Sequence, residues 1–293
     1  MKHLFIVNPA AGKGKALNLI AEIKQAFKET CEDYTIEITE KPGHATEIVR
    51  RYAQNGSYRI YSLGGDGTLN EVLNGIAGSD SSLAVIPCGS GNDFIKSISS
   101  DKDIHNLIHK TIHGKEKLID LAKVNDKYFA NISSMGFDAE VVYNTVKTKK
   151  LPLISGKLAY ILGVLLTLLR FKSYNLRILI DGEPIEQRSL LVAVANGKYY
   201  GGGMMPVPEA RLDDGILDIC LISKMHIFKI LMFFSKFIKG KHGGIEGVSF
   251  YKGKKIEIKC DEYIILNLDG EILRVKEACF EIIPQGLSII VPE

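Results

Sequence analysis

Neither sign of charge is in excess in this sequence: 37 Lys and Arg stand against 34 Asp and Glu, for a net charge of +3. So even a balance argues against a nucleic-acid binder and leaves the basic residues meaningful only where they cluster. Cysteine is scarce and unpatterned. Its five copies, Cys31, Cys88, Cys220, Cys260 and Cys279, are odd in number and form no CxxC spacing. That argues against a disulfide framework and a cysteine-based zinc site and suits a reducing cytoplasm. Long apolar runs are missing as well. The run after Lys2 and His3 is too short for the h-region of a signal peptide. The longest run, "LAYILGVLLTLLRF" from Leu158 to Phe171, falls short of the roughly 20 residues that cross a bilayer. It reads as a buried helix, and the chain as a soluble protein. Internal repeats and low-complexity tracts are absent too, as are a Walker A loop and a complete GxGxxG.

What is present is enough apolar material, 46% of 293 residues, for two domains or one large α/β domain. The first 120 or so residues alternate strand and helix signals. "HLFIV", "YTIEIT", "YRIYSL" and "SLAVIP" read as strands, and between them Leu19, Ile23 and Phe27, then Ala45 to Gln54, then Leu69, Val72, Leu73 and Ile76 read as helices. This rhythm predicts an open, doubly wound, mostly parallel sheet with helices on both faces. After about Ala122 strand-like runs follow one another across turn signals: "NLRILI", "QRSLLVAVAN", "KKIEIKC", "YIILNLDGE", "FEII" and "LSIIV". They predict an antiparallel β-sandwich or open barrel. The division is residues 1–122 and 123–285, with 286–293 free to return to the first unit.

Three glycine-rich loops follow strands of the first unit: "VNPAAGKGK", "GGDGT" and "IPCGSGNDF". In the second, Gly64, Gly65 and Gly67 stand where a strand gives way to a helix, so backbone N–H groups at a helix N-terminus can meet a phosphate. Glycine there permits positive φ and close approach. Asp66 can hold a hydroxyl or a metal-bound water, and Thr68 can cap the helix. Lys13 and Lys15 are candidate point charges, and Asn92 and Asp93 can cap the next short helix. "NLDGEIL" places Asp269 and Glu271 two apart, which on a strand directs both acids to one side, although "LDGE" is also a good hairpin turn. "ARLDDGILDI" offers oxygen ligands suited to Mg²⁺ or a plain turn. His105, His109 and His113 share a helix face without further ligands and read as solvated. "KMHIFKILMFFSKFIKGKHGG", Lys224 to Gly244, reads as an amphipathic helix packed on the sandwich or lying on anionic lipid. "KTKK" at 147–150 and "YKGKK" at 251–255 could extend such a surface.

In their order, "NPAAGKGK", "GGDGTLNEVLNG" and "PCGSGNDF" resemble the catalytic family of diacylglycerol and sphingosine kinases, especially its soluble bacterial lipid kinases, over nearly the whole chain. The resemblance implies an ATP-dependent lipid kinase with its site in the cleft between the two units. It implies nucleotide contacts at Asn8, Pro9, Ala10, Ala11, Gly12, Thr39, Gly65, Asp66, Gly67, Thr68, Leu69, Asn70, Glu71 and Ser90. It implies Glu271 as general base with Asp269 as partner, and Mg²⁺ at Asp214 with the main-chain carbonyls of Arg211 and Ile216. Ser90, Ile95 and Lys96 depart from the commonest bacterial pattern, and "GSGN" also occurs among sphingosine kinases, which leaves the lipid open. The expected setting is cytoplasmic and peripheral to a membrane, in phospholipid biosynthesis, with a homodimer left open. An NAD kinase, or a catalytically idle nucleotide or lipid regulator, is the alternative.

Overall fold

The structure, a computed structural model, describes residues 1–28, 32–148, 167 and 173–293. The helix expected over 157–171, apart from Thr167, and half of the "KTKK" run lie outside those residues.

Four strands, β1 (Lys2–Val7), β2 (Asp33–Ile38), β3 (Arg59–Gly64) and β4 (Ser82–Pro87), form a parallel sheet in the order β2-β1-β3-β4. The helices α1 (Lys15–Asn18), α2 (Ile20–Ala26), α3 (His44–Ala53), α4 (Asp66–Ile76), α5 (Ile95–Ile98) and α6 (Ile104–Ile112) connect and flank them. Leu4 and Ile6 pack with Ile48, Val49, Val72 and Leu73 on one face, while Phe5 and Val7 pack with Leu19, Ile23 and Phe27 on the other. Burial on both faces is why these strands read as unbroken apolar runs rather than alternating ones.

The rest is antiparallel. β5 (Lys115–Val124), β6 (Lys127–Phe129), β7 (Ile132–Gly136), α7 (Phe137–Thr148), β8 (Tyr174–Ile180), β9 (Glu183–Ala195), β10 (Leu217–Ser223), α8 (Ile227–Ile238), β11 (Val248–Gly253), β12 (Lys255–Leu268) and β13 (Glu271–Val291) follow in turn. β9 and β12 each serve two layers: their first halves flank β8 and their second halves flank β7. Met135, Leu176, Ile178, Val192, Ile258 and Phe280 fill the space between. β8 alternates buried and exposed residues, as a strand with one wet face does. The second half of β9 is buried throughout because Phe233 and Phe237 of α8 and Val141 of α7 pack in the cluster that holds Leu191, Ala193 and Ala195.

Two of the breaks in the late apolar runs are not turns. "KKIEIKC" and "YIILNL" are one strand, β12, whose register shifts between Lys259 and Ile264. "FEII" and "LSIIV" are likewise one strand, β13, which shifts between Ile283 and Leu287 around Pro284 and Gly286. Such bulges bend a strand without ending it. Beyond its bulge β13 stays antiparallel to β5 through Leu287 to Val291, and on its other edge Ser288 and Ile289 pair in parallel with Ser82 and Leu83 of β4. One strand therefore ties both units into a continuous sheet.

Candidate active site

The three glycine loops meet at the carboxyl edge of the parallel sheet, fastened by side chains. Asp66, the first residue of α4, accepts from the backbone N–H of Asn92 (2.9 Å) and of Asp93 (2.8 Å), which joins "GGDGT" to "PCGSGNDF". Burial raises its pKa, and those two N–H groups hold part of the rise back. Asn8 donates through Nδ2 to Thr68 Oγ1 (2.9 Å) and accepts through Oδ1 from Ala10 N–H (3.0 Å), which joins the first loop to α4. Thr39 follows β2 at the same edge, its N–H bonded to the Val7 carbonyl (2.9 Å). Ser90 is exposed in the third loop.

The glycines turn out to serve two purposes. Gly64, Gly65 and Gly67 are not among the residues with positive φ, so conformation is not what calls for glycine there. A Cβ on Gly64 would overlap the Thr68 side chain, and one on Gly65 would lie 3.2 Å from the Gly89 Cα. These two, like Gly12 against the Cys88 carbonyl, make room for the protein itself. Gly67 differs, since it is exposed and a Cβ there would meet nothing within 4 Å.

Two expected caps are not caps. Thr68 sits inside α4, whose N-cap is Gly65, because its hydroxyl is engaged by Asn8. Asn92 and Asp93 do not cap α5, whose N-cap is Phe94. Asn92 instead closes its own loop on Gly89 through both amide atoms (3.0 and 2.8 Å). Asp93 holds Lys96 Nζ (2.6 Å) and accepts from Gly202 N–H (2.8 Å), a residue of the second unit. Glu71 faces away from the loops: its carboxylate accepts from Gly43 N–H (2.8 Å) and Ala45 N–H (3.2 Å), satisfying the N-terminus of α3.

Across from the glycine edge stands the β12–β13 hairpin. Asp269 and Gly270 both have positive φ (46° and 99°), as a two-residue primed turn requires. Strand alternation therefore does not govern the two acids, and they take separate partners. Asp269 accepts from the backbone N–H groups of Ala130 (2.8 Å), Asn131 (3.3 Å) and Ile132 (3.0 Å). Its pKa is nevertheless pushed up to about 6, first by burial and in smaller part by the negative charge of Asp66. Glu271 is partly exposed and pairs with Lys127 Nζ at 2.8 Å. Asn70 and Asn74 of α4 reach the Tyr128 carbonyl at 3.5 and 3.0 Å, next to Lys127. Leu69 and Asn70 are buried, while Pro9 and Ala10 lie on the more open first loop.

The acidic turn before β10 lies apart. Asp120 anchors it, accepting from Gly215 N–H (2.6 Å) and from Gln285 N–H (2.9 Å) at the bulge of β13. One buried oxygen each of Asp214 and Asp218 has no hydrogen-bond partner, and Lys252 Nζ is 3.9 Å from Asp214 and 3.0 Å from Asp218. Orphaned carboxylate oxygens of this kind fit a hard cation. Arg211 is exposed and Ile216 half-buried on the same turn. Among the described residues, no three His, Cys, Asp or Glu side chains are grouped to hold a metal. His105 and His109 are exposed and lie 2.7 and 3.5 Å from Glu22.

Lys127, Asp120 and Asn267 escaped the sequence reading, which gave Asp93 only the role of a cap. Lys127 stands in an ordinary "NDKY" turn, and only the register of β5 with β6 and β13 brings it to Glu271.

Comparison with known proteins agrees with this arrangement. Residues 2–124 match the family described as diacylglycerol kinase catalytic domain, and residues 131–291 match that described as YegS C-terminal NAD kinase beta sandwich-like domain. A diacylglycerol kinase of Staphylococcus carnosus is 30% identical over 98% of this chain and 94% of its own length. One of Bacillus subtilis is 28% identical over 98% and 95%. The crystal structure of a diacylglycerol kinase from Bacillus anthracis superposes with a TM-score of 0.75 at 25% identity, covering 99% of this chain and 96% of that one.

Proposed function

This chain belongs to the diacylglycerol kinase family, and from that premise we propose that it transfers the γ-phosphoryl group of ATP to a hydroxyl of diacylglycerol or a related lipid. The observation that carries the reading is the junction of the two units beside the glycine edge, where Asp93 of the third loop accepts from Gly202 N–H at 2.8 Å and Asn74 of α4 donates to the Tyr128 carbonyl at 3.0 Å, next to the Lys127 that pairs with Glu271. It supports a phosphate-cradling edge facing the hairpin that carries Glu271. In this reading Asn8 to Gly12, Thr39, Gly65 to Thr68 and Ser90 surround the nucleotide. Gly67, open to solvent at the first turn of α4, is where a phosphate meets the helix N-terminus. Phosphoryl transfer asks the protein chiefly for positioning and charge stabilisation. Glu271 takes the proton of the attacking hydroxyl, and Lys127 orients its carboxylate. Asp269 and Asp66 act as fasteners of the two loops that face each other, and Glu71 supports α4 through α3.

Asp214, with the carbonyls of Arg211 and Ile216, would hold Mg²⁺, which supplies positive charge to that turn. The two units would be residues 1–122 with the end of β13, and residues 123–285. Membrane contact would come from α8. Its inner residues Ile230, Phe233 and Phe237 are buried, while Phe228, Leu231 and Met232 are 70%, 55% and 80% exposed beside Lys229 and Lys236. No helix among the described residues is long and apolar enough to cross a membrane, so the contact is interfacial.

The test is incubation of the purified protein with labelled ATP, lipid micelles and, separately, NAD. Label in a lipid that disappears with Glu271→Gln, at unchanged ATP affinity, supports the reading. Label in NAD alone makes the chain an NAD kinase, and binding of ATP without transfer makes it a regulator. Preserved turnover in Glu271→Gln removes that residue as base.

A further inference from the structure

The lysines of "YKGKK" are committed to carboxylates rather than spread as a basic surface. Lys255 pairs with Glu257 at 2.9 Å, and Lys252 stands directly opposite Asp218 of β10 in the register of β11. Among the described residues β11 is an edge strand. A lysine on such a strand ordinarily discourages pairing with other chains and keeps its ammonium in water. Here the ammonium turns to the acidic turn, 3.0 Å from Asp218 Oδ1 and 3.9 Å from Asp214 Oδ2. Register accounts for the first contact, since opposite charges facing across two strands attract. The second follows from the turn itself, which Asp120 draws in at Gly215 N–H.

The other acids of the turn have partners of their own. Asp213 has Lys117 Nζ at 2.9 Å and Arg211 Nε at 3.7 Å, and both oxygens of Asp120 accept from backbone N–H groups. Asp214 and Asp218 share Lys252, one positive charge for two carboxylates, and exposed Glu209 adds negative charge nearby. Asp218 is 4% exposed. The oxygens that Lys252 does not reach, Asp214 Oδ1 and Asp218 Oδ2, are the buried ones without a hydrogen-bond partner among the described residues. Leaving such oxygens bare costs stability, and a single ammonium on the opposite oxygen of each acid only partly offsets it.

We propose that Lys252 is a built-in substitute for a divalent cation, which partly neutralises Asp214 and Asp218 when no metal is bound and competes with Mg²⁺ for them. The inference rests on the reading of Asp214 as a Mg²⁺ ligand, and adds Asp218 as the second acid of that site and Lys252 as the residue that keeps its affinity low. A hard cation is held more tightly as the uncompensated carboxylate charge around it grows. An ammonium already beside both acids removes part of that charge and repels the incoming ion. With 53% of its side chain exposed, on a flexible stem, Lys252 can withdraw to water as the ion enters. That same exposure screens the repulsion, which limits the effect of Lys252 to about one or two powers of ten in affinity.

The experiment follows Mg²⁺ binding to the nucleotide-free, full-length protein by calorimetric titration and by the melting temperature, at constant ionic strength after treatment with EDTA. Lys252→Met removes the charge and keeps the apolar stem. It is expected to melt below the wild type without Mg²⁺, to bind the ion at least ~10-fold more tightly and to show the larger Mg²⁺-induced rise. Lys252→Arg, which keeps the charge, is expected to bind the ion as the wild type does. Equal or weaker binding in Lys252→Met overturns the inference, and so does an equal gain in Lys252→Arg. Binding seen only in Lys252→Met supports it. If Lys252→Met does not fold, the wild type decides. Acetylation of Lys252 by an amine reagent, read by peptide mass spectrometry, should accelerate at least ~3-fold when Mg²⁺ frees the amine from its carboxylates, and an unchanged rate overturns the inference. Absence of Mg²⁺ binding from every variant removes Asp214 as a ligand, and the role of Lys252 falls with it. None of these readouts uses phosphoryl transfer, so failure of the kinase reading leaves them standing.

Discussion

Gly64 and Gly67 are three residues apart in one motif, yet replacing each by alanine should have opposite consequences. At Gly64 the new methyl overlaps the Thr68 side chain, whose hydroxyl is held by Asn8 at 2.9 Å. Overpacking of this kind costs about 1–3 kcal/mol, and loss of the Asn8–Thr68 bond adds about 1 kcal/mol. At about 2 °C per kcal/mol for a chain of this size, the melting temperature should fall by roughly 4–8 °C. At Gly67 the methyl enters open space on the first turn of α4. Alanine is the better helix former there, by up to about 1 kcal/mol, so Gly67→Ala should melt at or slightly above the wild-type temperature. It should nevertheless weaken ATP binding at least ~10-fold, about 1.4 kcal/mol, because the methyl occupies the approach of a phosphate. Calorimetry and nucleotide titration on the two variants read both effects. Wild-type ATP affinity in Gly67→Ala would remove the phosphate from that turn, and an unshifted melting temperature in Gly64→Ala would refute the packing argument.

Asp66→Ala strips the N–H groups of Asn92 and Asp93 of their acceptor, at about 1–3 kcal/mol each. A lower melting temperature together with weaker ATP binding is expected, and a change in neither would detach the loop fastening from the site. Asp138 gives a pH signature. Its proton affinity is higher folded than unfolded (about 6 against an ordinary 3.8), so the stability it contributes is present below about pH 4 and is lost as pH rises through 6. From well below pH 4 to well above pH 6 the unfolding free energy of the wild type should fall by ~3 kcal/mol in total relative to Asp138→Asn, and parallel curves would contradict the burial. Asp214→Ala should abolish any Mg²⁺-induced rise in melting temperature, and an unchanged rise would place the ion elsewhere.

Much of the fold was legible because its signals are local. Apolar periodicity marks α2, α3 and α4, and glycine punctuation marks the ends of β1, β3 and β4. The hairpin at Asp269–Gly270 could be read from two residues. Legibility failed where local punctuation had a non-local purpose. Pro284 and Gly286 look like a turn, yet they bend β13 so that Asp120, 165 residues earlier, can take the Gln285 N–H.

The amino-acid sequence by itself determined the order of elements, the three glycine loops at one sheet edge and the acids near them, since each depends on residues a few positions apart. Only the tertiary structure decided what each acid faces. Asp66 finds its donors 26 and 27 residues away, Asp269 its three 137 to 139 away, and Glu271 its lysine 144 away. A carboxylate's role follows from the charges, N–H groups and solvent around it, and chain folding, not sequence spacing, brings these together. By that criterion Asp66 and Asp269 are fasteners, Glu271 is partly exposed beside Lys127, and Asp138 is buried in the lining of an apolar cavity.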